Sequence, residues 1–305
     1  MKKWWLLLIA FICWIITGFI LFDVRSANNS QINITPVEIS RIISTAPNIT
    51  EILFALGLEE KITAVTSDSI YPPAAAKKTK IGNFWQPDIE AIIAASPNLV
   101  VTLGFPLYPQ QQNLADRLRR IGYTCLTVFN TEQIGDLFDA IKKIGLVTQT
   151  QDKTNILTAE IQNEIERIVL LTKETEKVRV LYVVQREPLR VAGTDTFINE
   201  MITLAGGENA VGPTIQKYPP IGTEQLILCN ADVIIEPTMG QKNSDRLQNN
   251  AVEYWSRYKN IPAVKNKRIY VVDDDTISQL GPRLHKGIET IARCLKPELF
   301  EKSNQ

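Results

Sequence analysis

The chain has 305 residues, 45% hydrophobic and 22% charged, and its 33 lysines plus arginines equal its 33 aspartates plus glutamates. That balance, with no long block of like charge, argues against a nucleic-acid surface, which needs basic excess on one face. The length exceeds one average domain, so two domains of ordinary size are the default.

The N-terminus comes first. "MKKWWLLLIAFICWIITGFILFDVRSANNS" sets Lys2 and Lys3 ahead of an uncharged apolar run from Trp4 to Phe22. Residues 1–27 therefore read as a signal peptide or as an uncleaved N-terminal membrane anchor. Both readings export the remainder, to the periplasm or the outer face of the cytoplasmic membrane, because the lysines stay inside. Cys13 has no small residue before it, which speaks against lipidation there. Cys125, Cys229 and Cys294 sit in apolar surroundings without metal-ligand spacing. They read as buried thiols, with one disulfide among them left open.

From residue 40 strand and helix alternate. "RIIST", "ITAVTS", "NLVVTLG" and "CLTVF" are short β-branched runs between the helical segments "NITEILFALGL", "DIEAIIAA", "QQNLADRLRRIG" and "EQIGDLFDAIKKIGL". Such runs predict a parallel sheet covered on both faces, an α/β lobe over residues 38–147. Residues 148–177 contain neither proline nor glycine, and Leu157, Ile161, Ile165 and Ile168 form an amphipathic stripe. That predicts one long rigid connecting helix. The pattern restarts at "VRVLYVV" and gives a second α/β lobe over residues 178–300. The expected fold class is α/β, two lobes with mostly parallel sheets joined by the helix, with a ligand cleft between them.

The halves echo each other. "PDIEAIIAASPNLVV" aligns with "IGTEQLILCNADVII", so that Glu90 falls on Glu224 and Asn98 on Asp232. "ITEILFALG" likewise resembles "FINEMITLAGG". Asp88 and Thr223 are good N-cap residues, and a glutamate in a first helical turn is stabilised by the helix dipole. That accounts for either glutamate alone. The repetition of both in register suggests two outward carboxylates, one per lobe, docking a pseudo-symmetric basic partner.

No phosphate loop, dinucleotide fingerprint, nucleophile elbow or HExxH motif occurs, and His285 is the one histidine. No catalytic residues and no metal ligands are expected, and His285 reads as a partly satisfied helix residue. What remains is a set of aromatics on proline-stiffened loops. Tyr71 precedes Pro72-Pro73, Phe84 and Trp85 precede the first echoed helix, Tyr218 precedes Pro219-Pro220, and Phe105 and Tyr108 lie in "LGFPLYPQ". Each could close its own lobe's core. As a set arriving ahead of both echoed helices, they suit an apolar ligand cleft.

At this point the chain resembles the periplasmic cobalamin- and siderophore-binding proteins of ABC importers. The resemblance covers roughly residues 40–298, through "RIISTAPNITEILFALGL", "SIYPPAAAKKTKIGNFWQPDIEAIIAASPNLVV", "VAGTDTFINEMITLAGGENAV", "YPPIGTEQLILCNADVIIEP" and "GPRLHKGIETIA". The nearest likeness is to the cobalamin binder, through "YPP", "GGEN" and the aromatic-before-glutamate arrangement. The resemblance implies two lobes with little hinge closure, and Glu90 and Glu224 meeting arginines of a membrane permease dimer. It implies ligand contacts at Tyr71, Phe84 or Trp85, Tyr218 and Asp275, to which the aromatic pattern adds Phe105. Phe84 and Tyr218 stand where the cobalamin binder has tryptophans. The implied role is non-catalytic capture of a cobalamin-like corrinoid as cargo, with no cofactor. The alternatives are a ferric siderophore or haem, for which Arg186, Arg190 and Arg283 would supply cations, and an anchored sensor or an enzyme on the same scaffold.

Overall fold

Runs of Ile, Val and Leu form strands here because helices cover both faces of each sheet, and the central strands β1 (Ile42–Ser44) and β4 (Leu99–Leu103) are buried along their whole length. The structure is a computed structural model that describes residues 39–104, 109–128, 132–241 and 243–301. Residues 1–27, expected to be a signal peptide or membrane anchor, and the candidate contact Phe105 lie outside the described residues.

The first lobe comprises β1 (Ile42–Ser44), α1 (Pro47–Ala55), β2 (Ile62–Val65), α2 (Pro73–Ala76), β3 (Thr79–Lys80), α3 (Ile89–Ala94), β4 (Leu99–Leu103), α4 (Pro109–Arg120), β5 (Cys125–Val128) and α5 (Ile134–Thr148). Its sheet has the order β3-β2-β1-β4-β5, parallel throughout. The spacer helix α6 (Gln151–Thr172) follows. The second lobe comprises β6 (Val178–Arg186), β7 (Leu189–Val191), α7 (Phe197–Leu204), β8 (Gly207–Asn209), α8 (Thr223–Cys229), β9 (Val233–Pro237), α9 (Ser244–Trp255), α10 (Pro262–Lys265), β10 (Ile269–Val272), α11 (Asp274–Ile277), α12 (Leu284–Leu295) and α13 (Glu298–Glu301). Its sheet runs β10-β9-β6-β7, with β8 also on β6, and only the β6–β7 hairpin is antiparallel.

The spacer is shorter than the proline- and glycine-free window 148–177. Thr148 is the last residue of α5, and Gln149 closes that helix in the left-handed region at φ 58°. Lack of a breaker permits a helix but does not start one. Gly145 lets α6 approach α5, since a Cβ there would overlap the Thr154 side chain. Ile161 and Ile168 of α6 are buried, with Leu157 and Ile165 packed at the margin. They join one apolar core cluster that includes Ile42 and Leu99 of the first lobe and Val233 and Ile288 of the second. The described residues form one compact unit because this core is continuous through the spacer. Among them, no helix is long and apolar enough to cross a membrane.

Cys125, Cys229 and Cys294 are free thiols. Burial pushes the Cys125 and Cys294 thiols up to about 11, against partial relief from Arg119 and Arg268 respectively.

Candidate ligand-binding cleft

In each sheet the strand order reverses once, between β1 and β4 and between β6 and β9. A crevice opens outside the carboxyl ends at such a switch point because successive connections leave toward opposite sides. Here the two crevices share one cleft of about 890 Å³. Pro47, which opens α1 just past β1, and Leu103, at the end of β4, line one wall, and Val184 and Pro237, of β6 and β9, line the other. Its size suits a drug-sized or larger solute.

The first lobe presents Phe84 and Trp85, whose rings meet edge to face with centroids 5.0 Å apart. Their loop is held from three sides. The Phe84 N–H donates to Asp68 Oδ2 at 2.6 Å, and the Trp85 and Gln86 N–H groups donate to Asn83 Oδ1. Gln111, fully buried on α4, donates to both the Phe84 and Thr45 carbonyls, while its own carbonyl accepts from the Thr45 hydroxyl. Trp85 remains 63% exposed, an apolar surface presented to the cleft by a fixed backbone.

Tyr71 stands outside the main cleft. It lines an adjoining recess of about 190 Å³, where the Arg283 guanidinium stacks 3.8 Å from its ring centroid. Arg283 also donates to both carboxylate oxygens of Glu51, at 2.9 and 2.6 Å. The pair raises the guanidinium pKa against the opposing effect of burial.

The second lobe presents Tyr218, Lys217, Tyr182, Asp274 and Asp275. Lys217 forms an ion pair with Glu132 of the first lobe across the cleft. Asp274 accepts from the Thr238 hydroxyl at 2.5 Å and from the Gly240 N–H. Asp275 is exposed, and the partial burial of its carboxylate together with nearby Asp273 raises its pKa, opposed by Arg283. The carboxylates of Asp273, Asp274 and Asp275 lie within 4.8 Å of one another, and Asp273 caps the short α11 through the Asp275 N–H. Tyr182 is buried, and its hydroxyl lies within reach of the Ser278 hydroxyl, which works to lower its pKa, but the two do not make a hydrogen bond of good geometry. Burial pushes this phenol well above its ordinary range.

The three candidate cations have other partners. Arg186 is bound to buried Glu236, which also accepts from Trp255 Nε1, and Arg190 donates to the Tyr218 carbonyl. Arg283 is engaged with Glu51, and among the described lining residues of the main cleft Lys217 is the one cation. His285 is half-buried away from the cleft, with Nδ1 unpartnered. The contacts that sequence reasoning missed are Asp68, Tyr182, Asp274 and Lys217. Their signal was weak because each belongs to a different connection and only the fold assembles them.

Glu90 and Glu224 are exposed, each the second residue of its helix. The local reasons differ. Asp88 caps α3, accepting from the Glu90 and Ala91 N–H groups, and the latter bond chiefly lowers its pKa. Thr223, expected as a cap, is instead the first helical residue behind Gly222, which offers no side chain to the exposed amides. Beyond the helices the echo is structural in detail. Asn98 Oδ1 accepts from the Arg41 N–H and Asp232 Oδ2 from the Arg179 N–H. The guanidinium of Arg41 donates to the Ala95 carbonyl, and that of Arg179 donates to the Cys229 carbonyl. Three residues past each glutamate an isoleucine is exposed on the same helical face, Ile93 at 37% and Ile227 at 47%.

The chain belongs to the periplasmic binding protein family, whose sequence model matches residues 42–276. It is a non-catalytic solute-binding protein of two α/β lobes. Among its relatives is the ABC transporter substrate-binding lipoprotein YvrC of Bacillus subtilis, 28% identical over 92% of this chain and 87% of that protein. A vitamin B12-binding protein of Vibrio parahaemolyticus is 27% identical over 83% of this chain and 87% of its own. The crystal structure of a possible iron-binding, periplasmic solute-binding protein of Staphylococcus epidermidis superposes with a TM-score of 0.75. It is 28% identical and covers 85% of this chain and 99% of that one.

Proposed function

We propose that this protein captures a cobalamin-like corrinoid outside the cytoplasm and delivers it to the permease of an ABC importer. The observation that carries the choice of cargo is the cleft lining. Its large apolar surface, fixed aromatic edge and lack of a committed arginine clamp suit a broad ring bearing neutral amides. A haem or an anionic ferric siderophore carries carboxylates that want cations, and Arg186, Arg190 and Arg283 are engaged elsewhere. A haem also wants an axial ligand. No histidine lines the described cleft, and burial opposes ionisation of Tyr182. The vitamin B12-binding relative supports the same reading.

Delivery rests on the paired faces. Glu90 with Ile93 and Glu224 with Ile227 offer one charge and one apolar anchor per lobe. The charge would steer association and set register, while the isoleucine supplies surface that is desolvated on docking.

The test is a titration of the purified protein with cyanocobalamin, haem and a ferric chelate, followed by their visible absorbance. Micromolar or tighter binding of the corrinoid alone is expected. Binding of haem or the ferric chelate without the corrinoid replaces the cargo assignment.

A further inference from the structure

The electrostatics of the cleft carry the assignment one step further, from the shape of the solute to the sign of its charge. Across the cleft and its adjoining recess, the described lining carboxylates are Glu51, Asp68, Glu132, Asp274 and Asp275. The lining cations are Lys217 and Arg283, and each is already paired, with Glu132 and Glu51. Lys80 lies close enough to Asp68 to feel its charge, but its ammonium is held by the Thr66, Ser69 and Ala75 carbonyls and does not line the cleft. Arg283 lies near enough to Asp275 to act on its charge but is itself bound to Glu51, so the lining carboxylates outnumber the lining cations and Asp274 and Asp275 leave the cleft net negative. Low-dielectric walls focus such a field into the cleft.

A second, independent feature lies in the same wall. Tyr182 buries its hydroxyl beside Ser278, close enough to interact but without a hydrogen bond of good geometry, and near Asp274 and Tyr218. A buried hydroxyl that is poorly paired is under-satisfied, so a solute that supplies a well-aligned partner binds more tightly. Groups able to do so from a cationic or amide-rich solute are N–H donors and metal-bound water.

We propose that the cleft selects a metal chelate carrying net positive charge, held by Asp274 and Asp275 and by a hydrogen bond to Tyr182. The proposal rests on the reading of this chain as a solute receptor, and not on which chelate class it carries.

The experiment uses matched pairs so that class and charge are scored separately. Aquocobalamin carries one more positive charge than cyanocobalamin on the same corrin. Among ferric chelates, cationic ferrioxamine B is set against its N-acetylated form, which is neutral around the same hydroxamate-bound iron. In whichever class binds, the cationic member is expected to bind at least about tenfold tighter at about 20 mM salt. The advantage should shrink severalfold at about 500 mM, where the screening length falls to a few ångströms. Asp275→Asn, at an exposed position, should bring the pair to within about threefold of each other. Tyr182→Phe should weaken both members alike and leave their ratio unchanged. Equal binding of the pair, tighter binding of the less positive member, or a ratio untouched by Asp275→Asn overturns the charge proposal while leaving the receptor reading in place. Failure of every chelate to bind overturns both.

Discussion

Glu51 on α1 and Glu200 on α7 occupy equivalent places in the two lobes, and each reaches out of its own lobe into the other. Both precede, by the same interval, a positive-φ glycine that ends the helix, Gly57 or Gly206. Glu51 receives Arg283, with Gln279 adding a third donor, and Glu200 Oε2 accepts from the Ile134 N–H at 2.6 Å, the first amide of α5. The duplicated helix thus supplies a reciprocal clasp. With the continuous core through α6, it gives a physical reason for a cleft of fixed width.

The two halves of the clasp should differ in strength. Glu51 and Arg283 are 4% and 15% exposed, so Glu51→Ala strands a guanidinium in the interface at about 3–5 kcal/mol, a fall in Tm of roughly 10 °C. Glu200→Ala removes one helix-terminal acceptor and should cost about 1 kcal/mol, a few degrees at most. Thermal melts followed by circular dichroism measure both, and equal losses would show the clasp to be no more than two surface contacts.

Docking and ligand capture should separate cleanly. Glu90→Ala with Glu224→Ala is expected to abolish uptake through the permease while leaving ligand affinity within about twofold and Tm within about 1 °C. Ile93→Ser with Ile227→Ser should weaken uptake at least severalfold with the same null effect on ligand. Loss of ligand binding in either pair would move these residues into the cleft.

The aromatic loop offers a contrast between a contact and its support. Trp85→Ala should weaken ligand binding about tenfold or more, equivalent to about 1.4 kcal/mol, with Tm nearly unchanged. Gln111→Ala removes the buried amide that joins Thr45 to the Phe84 carbonyl and leaves polar groups unsatisfied. It should cost about 2 kcal/mol of stability and loosen binding as well. Paired denaturation and ligand titration distinguish the two.

His285 should act on acid stability. Burial lowers its pKa, with Lys286 acting in the same direction and Glu164 and Glu289 opposing. A folded pKa below the unfolded value of about 6.5 means its contribution is intact above that pH and is lost as pH falls from there through the folded pKa. His285→Gln should flatten the fall of Tm with acidification below about pH 6.5. An unchanged slope assigns acid sensitivity elsewhere.

The thiols should be inert in the native state. With Cys125 and Cys294 pushed up to about 11, the thiolate fraction at pH 8 is on the order of a thousandth. Labelling by a disulfide reagent should run at least about 100-fold slower than after unfolding. Fast native labelling would mean the lobes open far enough to expose them.

The sequence by itself determined the two α/β lobes, their parallel sheets, the spacer's buried stripe and the echo of Glu90 with Glu224. These are local or periodic properties. Alternation of β-branched runs with amphipathic stretches reports burial directly, and a repeat is visible wherever two stretches share a pattern. The spacer's limits were not legible, because the turn at Gln149 and the close approach of Gly145 to Thr154 are packing events without a proline or glycine signal at the break. Only the tertiary structure decided which side chains meet. It set Tyr71 against Arg283 in a recess beside the cleft, removed all three candidate arginines from the main cleft by giving each another partner, and brought Asp68, Tyr182, Lys217 and Asp274 to one space. Charge and hydrogen-bond partnership act over a few ångströms, and residues from connections far apart in the chain reach that range only after both sheets have formed.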